Sequence, residues 1–531
     1  MVAAARRGGW QSFATGGIAG ALGLITLGVA AGSPTISLVP ALLLLVALLG
    51  AVAVRIAASW PRLIIGIALV DLLIPSDGRY IVGGGLPFQL EPYRIVVGVL
   101  IIGWLAALLV DPEIRARRSR FEGPIWLILL AILGSELLNP GRVSHVQSNV
   151  IKSLWLFLSF VLLMYLTISV VRDRAVLERI LTLLVSAGCV VAVGAIVQRR
   201  AGYNIFDHLH TILPVFSFNP ASELENIVRG GNLRATASAG HPIELSNTLS
   251  MLTPIAVYLG VSRHQRRWGL AVAVLMLGDL SSGSRTGVIG FVAILIVFLW
   301  LRPRQTLKCW PAVIPLAVAV HVFAPGALGG IINGFFPSGG LIAQQSQTYM
   351  TGGQTVDANR LSRVGPVLHS EFAKHNPLFG EGFGTRVTGR VANANAIVLD
   401  DQWLGTLLET GILGVVGWAW LFVALIRRLG ARAKLERGTP EGWLPVALAA
   451  STAAFALSMQ TYDAFGFIQG MVLEYLLIAL SSILLWLPPV TPGGSPQVPA
   501  PGPHDASQRI RRPDLRLRRS GPLYPGEGHA S

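Results

Sequence analysis

Residues 281–304 read SSGSRTGVIGFVAILIVFLWLRPR, an uncharged run from Thr286 to Leu301 framed by Arg285 on one side and by Arg302 and Arg304 on the other. At 1.5 Å per residue a helix over such a run covers about 24 Å, most of the roughly 30 Å of hydrocarbon in a bilayer. The stretch therefore reads as a membrane helix whose charged neighbours mark its two ends. Further apolar runs lie at roughly 13–31, 36–54, 61–75, 94–110, 124–138, 151–171, 177–197, 243–261, 268–280, 310–324, 403–426, 443–460 and 465–487. With 286–301 they make about fourteen, of which 61–75, 124–138 and 268–280 are short for a full crossing.

Composition points the same way. The 531 residues are 52% hydrophobic and 13% charged, about half the charged share of an ordinary soluble domain, which excludes a single soluble globule. Two cysteines, Cys189 and Cys309, cannot staple a chain of this size, so a disulfide scaffold is excluded as well. The sequence predicts an all-α fold: a polytopic integral membrane helical bundle of about 12–14 transmembrane helices, with a large outer loop containing short helices.

The net charge of +15 follows the spans and does not mark a nucleic-acid surface. With a cytoplasmic N-terminus, Arg6 and Arg7 precede an uncleaved first span, and the short inner loops carry Arg55 and Arg62, Arg115 to Arg120, Arg172 to Arg179, and Arg263 to Arg267. Arg302 to Lys308 and Arg427 to Arg437 complete the set, the pattern that the positive-inside rule requires. Residues 1–487 form the expected membrane domain, and 488–531, rich in Pro and Gly and containing RIRRPDLRLRR, the expected disordered basic cytoplasmic tail. The protein is expected in the cytoplasmic (inner) cell membrane with both termini inside.

Two outer loops are long, about 198–242 and 325–402, and loops of that size generally fold or function. In the second, Leu361, Val364, Leu368 and Phe372 recur at helical spacing, which predicts a short amphipathic helix. Arg285 follows the polar turn Ser281 to Ser284 at a span boundary, either snorkelling to headgroups or presenting a guanidinium suited to bidentate phosphate contact. NPLFGEGFGTRVTG alternates Gly380, Gly382 and Gly384 like a phosphate-cradling loop, but no strand precedes it, which speaks against a dinucleotide site. Asp400 and Asp401 stand at the start of a span, where a carboxylate can be a helix cap or a functional group. Glu409, two turns further in, must face protein or water. His241 opens the span at Pro242 with Glu244 behind it, and His241 and Ser284 are candidates to line a cavity. No HExxH, paired CxxC or DxD pattern occurs, so neither metal nor cofactor is expected.

Three blocks in order, RATASAGHPIELSNTLSMLTPIA, SSGSRTGVIGFVAILIV, and NPLFGEGFGT followed by LDDQWLGTLLETGILGVVGW, resemble the O-antigen ligase-like superfamily, which includes O-antigen ligases and many polysaccharide polymerases. They cover residues 234 to about 420, under half of the chain. The resemblance implies a cell-envelope glycosyltransferase that takes glycan from a polyprenyl-diphosphate-linked donor to a glycan or lipid acceptor hydroxyl at the outer face, without metal. It implies that Arg285 binds the donor diphosphate together with a second arginine, for which Arg360 and Arg363 both stand in place. Where ligases of the family carry a His-Asn pair, this chain has Asp400-Asp401, which moves the reading toward polymerase-like members with Asp400 as the base. Asp401 and Glu409 are the further catalytic candidates.

The bottom-up chemistry runs in parallel: arginines in a water-poor cleft stabilise the charge on a departing diphosphate, and a carboxylate takes the acceptor proton. The competing reading is a transporter or flippase of lipid-linked or anionic solutes, which also needs cavity-facing arginines. Against it, the halves show no internal repeat.

Overall fold

The computed structural model describes residues 60–75, 78–82, 91–110, 114–213, 216–219, 228–229, 232–309, 349–351, 354–356, 376–386 and 400–490, with a few isolated positions between 311 and 322. The expected spans at 13–31 and 36–54, most of that at 310–324, the amphipathic helix near 361–372, Arg360, Arg363 and the tail beyond Val490 lie outside the described residues.

Helices dominate what is described. In chain order they are α1 (Trp60–Leu73), α2 (Pro92–Val110), α3 (Glu122–Leu138), the short α4 (Pro140–His145), α5 (Gln147–Val170), α6 (Arg174–Ala201), α7 (Pro242–Arg263), α8 (Arg266–Ser281), α9 (Arg285–Leu301), the short α10 (Pro303–Lys308), α11 (Gln402–Leu435), α12 (Trp443–Ser458) and α13 (Ile468–Trp486). Every apolar run expected between 61 and 301, and again between 403 and 487, is met by one of these helices. Among the described residues, five helical stretches are long and apolar enough to cross a membrane: Gln147–Val170, Arg174–Ala201, Gln402–Leu435, Pro440–Thr461 and Ile468–Trp486. These are compatible with a multi-pass membrane protein. The described strands form three short antiparallel pairs, one of which joins Tyr80–Val82 to Phe216–Phe218.

Sequence explains which helices sit inside. α12 (WLPVALAASTAAFALS) and α13 (IQGMVLEYLLIALSSILLW) are apolar all round, and both are buried almost completely. The small residues of α12 let it pack against α7, α9 and α11, while α13 lies against α5, α7 and α12. α7, buried along most of its length, also packs on α8, α9 and α6. The outer helices are inverted relative to a soluble protein: on α3 the exposed side chains include Trp126, Leu130, Leu133 and Leu137, one apolar stripe at helical spacing. Such a stripe suits hydrocarbon and not water.

The basic segments gather at one end of the bundle. The Arg120 backbone N–H donates to Ser482 Oγ at 3.0 Å and its guanidinium lies 3.8 Å over the Trp486 ring, while Arg302 Nη2 donates to the carbonyls of Ala433 (2.9 Å) and Gly442 (3.0 Å). Arg174 pairs with Glu178 at 3.0 Å and reaches the Glu441 carbonyl. The starts of α7, α9, α11 and α13 all lie at the other end, where the candidate site is found.

Candidate functional site

The link between α12 and α13 organises the site. It reads QTYDAFGF from Gln460 to Phe467 and is held from two sides. On one, Thr286 Oγ1 at the start of α9 lies 2.8 Å from Thr461 Oγ1. On the other, the Gln402 backbone N–H at the start of α11 donates to the Tyr462 carbonyl at 3.1 Å, and Gln402 Oε1 accepts from the Phe465 N–H at 2.9 Å. The His241 ring faces Phe467 at 5.9 Å, and Phe467 in turn faces Tyr462. One connection thus ties together three helix starts that carry His241, Arg285 and the Asp400-Asp401 pair.

Around Arg285 the local chemistry is cationic. Ser284 caps α9, its Oγ accepting from the Thr286 N–H at 3.3 Å, and Arg285 is the first helical residue. Arg199 Nη1 donates to the carbonyls of Leu233 (2.9 Å) and Ser281 (3.4 Å), and Arg234 Nε donates to the Ser282 carbonyl at 3.0 Å. Two guanidinium groups therefore pack on one turn of small residues that Arg285 follows, a concentration of positive charge able to attract a multiply charged oxyanion. Behind the turn, segment 234–241 is pinned by Arg79, which is buried, pairs with Asp207 at 3.0 Å and donates to the carbonyls of Ala237, Ser238 and Ala239. Gln198 accepts from the N–H groups of Thr236 and Ala237. His241 caps α7 through Nδ1, which accepts from the Ile243 N–H at 3.2 Å.

Around Asp400 it is anionic. Asp401 is the N-cap of α11, its carboxylate accepting from the Leu404 N–H at 3.1 Å, and Asp400 just before it adopts φ +51, an uncommon conformation for a residue with a side chain. Asp463 from the connecting segment joins them, accepting from the Asp400 backbone N–H. Burial pushes the Asp463 carboxyl above its ordinary value; the Arg386 guanidinium draws it back, and the charges of Asp400 and Asp401 add to the rise. A Cβ built on Gly405 would lie 2.9 Å from Arg386 Nη1 and 4.0 Å from Asp463 Oδ1, so the bare glycine face of α11 is where this guanidinium and carboxylate meet.

Glu409 owes its position to a break in α11. Gly411 has φ +67 and ψ −165, which interrupts the helix and frees backbone groups on both sides. Segment 376–386 takes them up. Glu381 N–H donates to the Leu408 carbonyl at 2.8 Å and Gly382 N–H to the Glu409 carbonyl at 3.1 Å, while the N–H groups of Ile412 and Leu413 donate to the carbonyls of Pro377 and Leu378. The glycine-rich segment is thus a splint for a broken helix, and the amides of Glu381 and Gly382 are committed to that role and not to phosphate. Asn139 Nδ2 reaches the Gly380 carbonyl at 3.0 Å, and Arg142 on α4 pairs with the buried Glu381 at 2.9 Å. Glu409 lines a narrow cleft with Ile128, Ile132, Phe157, Phe383, Thr406, Thr410, Trp418 and Phe465, within electrostatic reach of Arg386, Glu381 and Asp463.

His241, Ser284, Arg285, Asp400, Asp401 and Glu409 therefore all belong to one end of the bundle. Asp463 and Arg142 are additions that only the structure supplies, although span parity places the QTYDAFGF link on the same side as Asp400. Among the described residues no group of three or more His, Cys, Asp or Glu side chains is placed to share a metal ion. Comparison of the chain with known protein families and with curated proteins finds no match.

Proposed function

We propose that the protein is a polytopic membrane glycosyltransferase of the O-antigen ligase and polymerase type, acting at the outer face of the cytoplasmic membrane on a polyprenyl-diphosphate-linked glycan. The observation that carries this reading is the Gln460 to Phe467 link, which holds a cationic helix start and an anionic one side by side. Arg285, with Arg199 and Arg234 around it and with Arg360 or Arg363 from the second loop, takes the donor diphosphate and stabilises the charge that develops on it as the glycosidic bond breaks. The Asp400 and Asp463 pair accepts the proton of the acceptor hydroxyl as its oxygen attacks the anomeric carbon. Direct displacement inverts that carbon. Asp401 holds the start of α11 in register, and Glu409 lies deeper, at the wall of the cleft. The apolar outer stripes and the basic opposite end agree with a bundle whose termini are cytoplasmic.

The test is mass analysis of what the purified protein makes from a defined polyprenyl-diphosphate glycan and an acceptor. A new glycosidic bond with inverted configuration is the expected result. Passage of intact donor across vesicles without bond formation is what a flippase would give, and it would end the transferase reading. Retained configuration would end single displacement.

A further inference from the structure

Between α2 and α3 the chain reads IRARRSR from Ile114 to Arg120, with neither helix nor strand, and crosses the end of the bundle where α5 and α13 finish. Hydroxyl groups of those two helices hold its backbone. Arg117 N–H donates to Ser169 Oγ in the last turn of α5 at 3.3 Å, and Arg120 N–H donates to Ser482 Oγ in the last turn of α13 at 3.0 Å. The Arg118 carbonyl accepts from the Trp486 indole N–H at 3.3 Å. Ser119, buried, leads into α3: its N–H donates to Glu122 Oε1 at 2.6 Å and its Oγ accepts from the Phe121 N–H at 3.0 Å. The segment is a strap fixed by its backbone.

Its arginine side chains are left to the outside. Arg115, Arg117, Arg118 and Arg120 are all exposed, and none of Arg115, Arg117 and Arg118 is ion-paired with a carboxylate of the described residues. Arg120 lies 3.8 Å over the Trp486 ring, and Arg428 of α11 donates to the Arg120 carbonyl, which adds a fifth guanidinium. The nearby carboxylates in sequence are fewer: Asp111 and Glu113, outside the described residues, and Glu122, which accepts from Ser119 and from the Tyr165 hydroxyl at 2.9 Å. Two exposed tryptophans flank the strap, Trp486 at the end of α13 and Trp126 one turn into α3. From Trp126 the apolar stripe of α3 runs toward the other end of the bundle.

We propose that this strap is a docking site for the phosphate headgroups of anionic phospholipid in the leaflet at the basic end. The proposal rests on the bundle lying in a bilayer and not on the transferase reaction. A guanidinium group meets two phosphate oxygens at once, and its weak hydration favours such contact at a surface. Tryptophan at both flanks marks the depth of headgroups, where an amphipathic ring is at home. A ligand here meets cations at the level of the strap and apolar side chains along α3 directly below. A phospholipid has an anionic head and an apolar body in that order, whereas a soluble anion supplies only the first. Because the backbone is already clamped, binding does not first have to order a loop.

The experiment is native mass spectrometry of the full chain in neutral detergent, titrated with phosphatidylglycerol or with phosphatidylcholine of the same acyl chains. The parent is expected to hold phosphatidylglycerol about 10²-fold more tightly than phosphatidylcholine, each surface arginine contributing roughly fivefold. Arg117→Gln/Arg118→Gln is expected to weaken phosphatidylglycerol binding about 25-fold. Arg266→Gln/Arg267→Gln, which removes the same charge from the exposed turn before α8, is expected to leave it near the parent value. Should the strap variant fail to fold, Arg115→Gln, at roughly fivefold, and the preference of the parent still decide. No preference in the parent, or an equal loss in both double variants, would overturn the site. So would displacement of the lipid by an equal concentration of inorganic phosphate, which would make the ligand a soluble anion. No glycan is present, so failure here and failure of glycan transfer are read separately.

Discussion

The start of α9 and the start of α11 lie at the same end of the bundle, tied to the same eight-residue link, yet they are built from opposite charges. Before α9, Arg199 and Arg234 spend donors on the carbonyls of Leu233, Ser281 and Ser282, so backbone oxygens hold the guanidinium groups. Before α11, Asp463 lies within reach of the Arg386 guanidinium and of the charges of Asp400 and Asp401, so burial and repulsion both act on its carboxylate. A helix N-terminus favours anions. At α11 that field supports the acidic group, whereas at α9 it opposes Arg285 and favours an anion arriving from outside. In the proposed function the start of α9 takes the diphosphate and the start of α11 the acceptor proton.

The largest effect that could break this comparison is at Arg285. Arg285→Ala is expected to lower transfer by about 10²–10³-fold while Tm stays near that of the parent, because the lost interaction is with developing charge. Full product yield would remove Arg285 from the site. Next is Asp463→Asn, expected to lower kcat by about 10²-fold. Burial raises the Asp463 carboxyl above the ordinary Asp value, and a base works only when deprotonated, so transfer should be lost on the acid side at a higher pH than an ordinary Asp would give. A pH profile with the same acid limb in parent and variant would show that Asp463 is not part of the proton acceptor.

The splint is tested through stability. At Gly380, φ is +70 and an added Cβ would lie 2.3 Å from the Leu408 carbonyl oxygen, so Gly380→Ala is expected to cost about 2–3 kcal/mol, read as a lower Tm and lost activity together. Arg142→Gln leaves the buried Glu381 without its cation. Because Arg142 is 39% exposed, the expected loss is discounted to about 1–2 kcal/mol. The smallest effect belongs to Thr461→Val, which removes one hydroxyl contact between the link and α9 at about 1 kcal/mol or less. A larger drop in transfer than in stability there would show that the link sets the distance between the two charged regions.

Much of this was legible in the chain. The helices α1 to α3, α5 to α9 and α11 to α13 follow from apolar run length, since a helix that satisfies its own backbone groups is the local answer to a long apolar segment. The site was legible in part. Arg285, Asp400, Asp401 and Glu409 stand out because charge beside an apolar run is costly, and His241 and Ser284 because they occupy helix caps. Asp463 and Arg142 escaped notice because each looks like an ordinary polar residue between helices.

What sequence alone determined is the class of fold, the polarity of the two ends and the short roll of charged residues worth watching, all of which depend on local hydrophobicity and charge. Tertiary structure decided that GEGFG repairs the break at Gly411 and that one connection joins the arginine turn to the aspartates. It also decided that Glu244 finds backbone donors while Glu474, equally buried, has no hydrogen-bond partner for either carboxylate oxygen among the described residues. Such matters turn on which backbone groups lie opposite one another across hundreds of residues. No local pattern encodes that, because hydrogen bonds and buried charges are satisfied by neighbours in space.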